Sequence, residues 1–169
     1  MIGILARGDR VIATARKDIS RQKHLENSGA AVFELDVTSP ASEITSKMTE
    51  IIKIYDGVDV LVNNAGYIEA GMVEEVRCVS FCLRILRSLT QSPSHEQYLA
   101  QFNTNLFGVV KVTQALLPHF RQKRSGYVIF VGSSGGWAGS PGAGPYCGTK
   151  FALEGRHFTL DAVGCSTRH

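Results

Sequence analysis

No apolar run in this sequence approaches the roughly 20 residues of a membrane-spanning helix, so a transmembrane reading is excluded. Residues 1–8 are too short and lack a basic leader, so no secretory signal is expected. Charge of one sign is scarce: 18 Lys and Arg stand against 15 Asp and Glu, a net +3. The one basic cluster, Arg121, Lys123 and Arg124, reads as a solvated helix end, and nucleic acid is not an expected partner. The four cysteines, Cys78, Cys82, Cys147 and Cys165, have neither zinc-site spacing nor the density of a disulfide framework. They are expected to be free thiols in a reducing compartment, by default the cytoplasm. His157 and His169 lack ligand-spaced partners, so no metal is expected.

What the chain does have is enough length for a core and a glycine-rich loop. Its 169 residues, 44% hydrophobic and 20% charged, fit one soluble domain. Residues 133–150 contain six of the 17 glycines, with no Gly-Lys-Ser/Thr ending that would make the segment a phosphate loop. An apolar strand pattern at 127–131 leads into Ser133, and a helix pattern opens near Pro145. That helix sets Tyr146 and Lys150 four residues apart on one face. Trp137 reads as a lid or packing residue.

These three side chains suit proton transfer at an alcohol or carbonyl oxygen. A free phenol titrates near pH ~10, too high for a base at neutrality. A neighbouring ammonium favours the phenolate, so Lys150 is expected to bring Tyr146 toward the working range, while Ser133 holds the substrate oxygen. Tyrosine and lysine at this spacing also arise by composition alone, so the pair needs company. Asn63, Asn64, Ala65 and Gly66, directly after an apolar strand at 58–62, provide it: small residues at a strand's carboxyl end let a cofactor lie against the backbone.

Ser133, the Tyr146 and Lys150 pair, the run from Asn63 to Gly66, and Asn105 together resemble the motif set of the short-chain dehydrogenase/reductase family. The resemblance implies a Rossmann-like α/β fold with a doubly wound parallel sheet, and hydride transfer between a nicotinamide cofactor and an alcohol or carbonyl substrate. It implies Tyr146 as acid/base, Lys150 on the nicotinamide ribose, Ser133 orienting substrate and Asn105 holding a proton-relay water. Asn63, Ala65 and Gly66 join Tyr146 and Lys150 as cofactor-binding residues. Ser134 is adjacent, but Ser133 has the family's spacing to Tyr146. Asn103 is equally available for helix-side packing.

Taken in order, residues 2–7 read as a helix tail stopped at Gly8, followed by a strand at 10–14. The family's opening strand with its Gly-rich turn is therefore expected to be missing. Arg16 and Lys17 stand where the family meets the adenosine ribose. No acid occupies 14–16, and a guanidinium can pair with the extra phosphate of NADP, so NADP is favoured over NAD. Arg16 reads equally as a strand end in water. After a polar helix at 19–27 and a strand at 31–35, Asp36 and Val37 are implied to contact the adenine. Asp36 also reads as starting a turn before the helix at 41–55, and both readings can hold.

Residues 77–91 depart from the family and read as an insertion: a membrane-surface or partner helix, an ordinary packed helix, or translated intervening sequence. Ser94 and Gln97 have capping-box spacing for a long helix containing Asn105 and Gly108, with Pro118 placed to kink it. The resemblance ends at Gly155, and 156–169 is expected to be an irregular tail, with the family's last strands and substrate loop missing. The domain assigned is thus 1–155, incomplete at both ends. The expected function is an NADP-dependent oxidoreductase acting on the alcohol or carbonyl group of a small molecule, with steroid-like, acyl-ketone and small secondary alcohol substrates all open, and with homo-oligomerisation open too. The rival is an inactive or partner-binding remnant, whose sheet halves would leave unpaired edges.

Overall fold

The computed structural model describes residues 2–17, 23–69, 95–161 and 167–168. The expected insertion at 77–91 and the capping Ser94 lie outside them, as do Cys78, Cys82 and Cys165. Among the described residues, five strands form two parallel sheets. Strand β1 (Ile12–Ala15) pairs with β2 (Ala31–Glu34), Ile12 opposite Ala31. Strand β3 (Val60–Asn63) pairs with β4 (Tyr127–Phe130), Val60 opposite Tyr127, and β4 pairs with β5 (Thr167–Arg168). Parallel pairing requires long crossovers, and helices supply them. Helix α1 (Ile2–Leu5) precedes β1, α2 (Lys23–Glu26) crosses from β1 to β2, α3 (Ala41–Ile54) lies between β2 and β3, α4 (His95–Phe102) and α5 (Val109–Lys123) cross from β3 to β4, and α6 (Gly144–Asp161) crosses from β4 to β5. No described helix is long and apolar enough to cross a membrane.

The chain divides into two compact units. The first holds Met1–Asp59 and Lys111–Gly126. Its small core joins Ala13 of β1 to Leu25 of α2 and Ala30, with Leu5, Val11 and Val32 packed against them. Helix α3 buries Ile44, Met48 and Ile51, the i, i+4, i+7 stripe of an amphipathic helix. The turn from Asp56 to Val58 closes against His119, whose Nε2 takes the Val58 N–H at 3.2 Å. Lys123 reaches Asp59 in a surface ion pair. Helix α1 stops as expected: Gly8 has φ +85°, a conformation glycine adopts without steric cost.

The second unit holds Val60–Val110 and Tyr127–His169. Val128 and Phe130 point inward from β4, at 1% and 6% exposure, as the period of two requires. Between α4 and α5 the ladder widens into a π-helical turn, Asn103–Gly108, where the hydrophobic period implied an unbroken α-helix. At the other end, α6 runs past Gly155 to Asp161 and β5 adds to β4. Residues 156–161 and 167–168 are therefore in regular elements rather than an irregular tail. Gly155 does not stop the helix, because a glycine in mid-helix weakens propagation by only about 1 kcal/mol.

Candidate active site

Strand β4 delivers Ser133 in extended backbone (φ −163°, ψ 153°), and its Oγ accepts the Gly135 N–H at 3.1 Å, capping the 3₁₀ turn Ser134–Gly136. Capping uses one lone pair and leaves the hydroxyl proton for another acceptor. Ser133 is half-buried, whereas the adjacent Ser134 is exposed. Tyr146 and Lys150 lie one turn apart on α6. The Lys150 Nζ stands 5.8 Å from the centroid of the Tyr146 ring, within cation–π range, and donates to the Val131 carbonyl at 2.5 Å.

Ser133 and Tyr146 both approach Gly135. A Cβ at this position would come within 3.3 Å of Tyr146 Cε1, 3.4 Å of Cys147 Sγ and 3.5 Å of Ser133 Oγ. The edge of the phenol ring and the serine hydroxyl thus share a space that a side chain would crowd. The neighbouring Gly136 is equally confined, with the Lys150 carbonyl 3.2 Å from its would-be Cβ.

A cavity of about 170 Å³ opens beside them, lined by Asn64, Gly66, Tyr67, Ile68, Asn105, Val131, Gly132, Tyr146 and Lys150. Of the residues singled out in the sequence, Tyr146, Lys150, Asn105 and Gly66 come together on this wall, with Asn64 beside them. Asn63, Ala65 and Ser133 do not border it. Asn63 is buried and its carbonyl accepts the Val131 N–H at 3.2 Å, joining the ends of β3 and β4. Asn105, 2% exposed, clamps the backbone of Tyr67: Nδ2 donates to its carbonyl at 2.8 Å and Oδ1 accepts its N–H at 3.0 Å. Its Oδ1 would lie 3.1 Å from a Cβ on Gly66, so that glycine permits the close approach.

Thr149 was not apparent from the sequence. Fully buried, its hydroxyl donates to the Tyr146 carbonyl at 2.7 Å and accepts from Asn105 Nδ2 at 3.3 Å. It links the asparagine to the backbone of the tyrosine. Its position one residue before Lys150, on a helix expected to carry chemistry, was the available signal.

The remaining candidates belong to the first unit. Asp36 makes the turn foreseen for it, accepting from the Thr38 N–H at 2.8 Å and the Thr38 hydroxyl at 2.6 Å. Partial burial opposes its ionisation, but the two Thr38 hydrogen bonds and the charges of Arg16 and Lys17 outweigh that and hold its carboxyl below the ordinary value. Arg16 is exposed at the end of β1, and Val37 is half-buried. Cys147 is a buried free thiol. No metal-binding group of His, Cys, Asp and Glu occurs among the described residues.

Helix-covered parallel strands whose carboxyl ends carry small and polar residues define a Rossmann-like α/β protein. Residues 2–162 match the family described as short chain dehydrogenase. The chain belongs to that family, whose members use a nicotinamide cofactor. It is similar to the oxidoreductase BOA17 of Botryotinia fuckeliana, 35% identical over 154 residues, covering 89% of this chain and 50% of that protein. A short-chain dehydrogenase from Streptomyces avermitilis superposes with TM-score 0.75 at 30% identity, over 98% of this chain and 56% of that one. A variant of the actinorhodin polyketide ketoreductase solved with NADPH gives TM-score 0.76 at 27% identity, over 98% of this chain and 60% of that one. The chain spans about half the length of the curated relatives it matches.

Proposed function

We propose that this chain carries the catalytic segment of an NADP-dependent oxidoreductase acting on the alcohol or carbonyl group of a small molecule. The observation that carries the reading is the convergence of Tyr146 and Lys150 on one cavity wall, with the Ser133 hydroxyl and the edge of the Tyr146 ring both approaching Gly135. The lining suits a ribose and a carboxamide: the Lys150 ammonium, the Tyr146 phenol and the exposed Asn64 border the cavity together, beside the exposed backbone of Gly66. When bound there, the nicotinamide supplies or accepts the hydride.

In carbonyl reduction Tyr146 gives its hydroxyl proton to the substrate oxygen, and in alcohol oxidation it takes that proton back. Ser133 donates to the same oxygen while charge develops on it. Lys150 supplies positive charge near the phenol and a donor for the ribose, and Asn105 fixes the Tyr67 wall and a relay water. The family resemblance assigns the strand-end seat to Gly66, Ala65 and Asn63, the adenine to Asp36 and Val37, and the 2′-phosphate that distinguishes NADP from NAD to Arg16. NADPH bound to a relative at 27% identity supports that choice, as does the absence of an acid at 14–16. The reading takes the cytoplasm as the place of action and no nucleic acid as partner, and leaves homo-oligomerisation open.

Titration of the folded protein with NADPH and NADH, followed by nicotinamide fluorescence, tests it. Saturable binding that favours NADPH is expected. Tyr146→Phe should keep binding yet lower turnover of a carbonyl panel by about 10²–10⁴-fold, the range for a lost general acid. Folded protein that binds neither nucleotide refutes the reading.

A second reading rests on one edge. Strand β3 stands at the border of its sheet with Val60 and Val62 exposed to 45% and 50%, and such an edge can pair with another chain. The chain would then be a partner-binding protein without activity. Native mass spectrometry after mixing with intact homologous subunits decides it, a mixed oligomer being the required result.

A further inference from the structure

Gln101 lies on α4 one turn before Asn105 and is fully buried. Its Nε2 donates at 2.9 Å to the Tyr67 carbonyl, the same oxygen that Asn105 Nδ2 reaches at 2.8 Å. The Tyr67 N–H returns to Asn105 Oδ1. Both backbone groups of one residue in an irregular segment are thus held by two side-chain amides. Tyr67 and its neighbours Gly66 and Ile68 all border the cavity.

The other end of Gln101 tells what the residue is for. Its Oε1 is buried and has no hydrogen-bond partner among the described residues. Reversing the amide would bring that oxygen against the Tyr67 carbonyl, acceptor against acceptor, so the Nε2 bond sets the orientation. A buried acceptor without a donor destabilises a fold. For stability alone an apolar side chain of the same size would serve better here.

We propose that Gln101 is a positioning residue, the second amide of a clamp on the Tyr67 carbonyl that fixes the 66–68 wall of the cavity. It does so at the expense of a buried unmet acceptor. The link to catalysis rests on reading that cavity as the nicotinamide end of a redox site. The clamp itself rests on geometry alone.

Hydrogen exchange at individual amides of the full chain, measured by NMR, tests both parts. In Gln101→Leu the Tyr67 amide should lose protection by about tenfold, while the urea midpoint stays the same or rises because the orphaned acceptor is gone. NADPH affinity should weaken by roughly five- to tenfold, the worth of one neutral hydrogen bond. Gln101→Glu adds a readout that space-filling would not move. Its protonated acid keeps one O–H for the Tyr67 carbonyl and its carboxylate has none. Protection at Tyr67 should therefore match the wild type at low pH and fall to the Leu level as pH rises. Unchanged Tyr67 protection in Gln101→Leu, equal losses at Val128 and Leu153, or no pH dependence in Gln101→Glu each overturns the proposal. Wild-type protein that shows the Tyr67 pattern in its variants but binds neither NADPH nor NADH removes the redox reading and leaves the clamp in place.

Discussion

Replacing Asn105 with alanine removes three hydrogen bonds at a position 2% exposed: two to the Tyr67 backbone at 2.8 and 3.0 Å and one to Thr149 Oγ1 at 3.3 Å. Neutral hydrogen bonds contribute about 1 kcal/mol each, and the third is longer than the usual N–H···O distance, so it counts for less. Tyr67 is 38% exposed, so water can re-satisfy part of what the alanine abandons. The expected loss is therefore about 2–3 kcal/mol, a large share of the roughly 5–15 kcal/mol that holds a domain folded. With a urea slope of about 2 kcal/mol per M, the unfolding midpoint should fall by about 1 M. Asn105→Asp keeps the acceptor for the Tyr67 N–H but turns an acceptor toward the Tyr67 carbonyl and buries charge, so it should be less stable than the alanine variant. Thr149→Val should couple to Asn105→Ala by about 0.5–1 kcal/mol in a double-mutant cycle, since the two share a bond. A midpoint that moves by less than about 0.2 M, or an aspartate variant as stable as wild type, would show that the asparagine amide holds nothing.

Gly126 has φ +156°, and a Cβ there would meet Phe120 Cδ1 and Cγ at 2.5 Å. Phe120 is 4% exposed and cannot simply swing away, so Gly126→Ala should destabilise by about 1–3 kcal/mol, and an unchanged Tm in calorimetry would contradict the close approach. The Asp36 carboxyl lies below its ordinary 3.8 in the folded protein. Its contribution is then fully present above that value and lost as pH falls through the folded one. The urea midpoints of wild type and Asp36→Asn should differ near neutrality and converge in acid, and a gap that persists at the lowest pH denies Asp36 a charge-dependent role. Arg16→Glu should weaken NADPH binding by about tenfold or more and spare NADH, since a charge-assisted hydrogen bond contributes roughly 1.5–3 kcal/mol. Equal losses for both nucleotides in a fluorescence titration would mean that Arg16 does not read the phosphate.

What could be read from the sequence follows from where each residue finds its partner. Tyr146 and Lys150 meet through one helical turn, and β4 reaches Ser133 through an apolar run, so local periodicity was enough. The Asp36 turn closes on Thr38, two residues away, and was equally legible. Gln101 and Asn105 instead find theirs 34 and 38 residues earlier, on a backbone carbonyl that any residue type would offer. No pattern in the chain announces such a pairing. Asn105 stood out only through its family resemblance and its poor helix propensity.

The π-helical turn was hidden for a related reason. Single π-turns inside α-helices are frequent at functional sites, but the apolar positions at Leu99, Phe102 and Leu106 fit one continuous α stripe and do not announce one. In the structure Asn105 belongs to the π-turn while Gln101 belongs to the preceding α-helix, yet both amides reach one carbonyl. An i→i+5 ladder carries one more residue per hydrogen-bonded ring than an i→i+4 ladder, so it changes the direction of every side chain inside it. The widened turn sets where Asn105 points, and Asn105 in turn touches Tyr67 and Thr149. The helix departs from regularity at the residue that joins the cavity wall to the backbone of the tyrosine. That coincidence gives the distortion a physical reason which helix propensity alone does not contain.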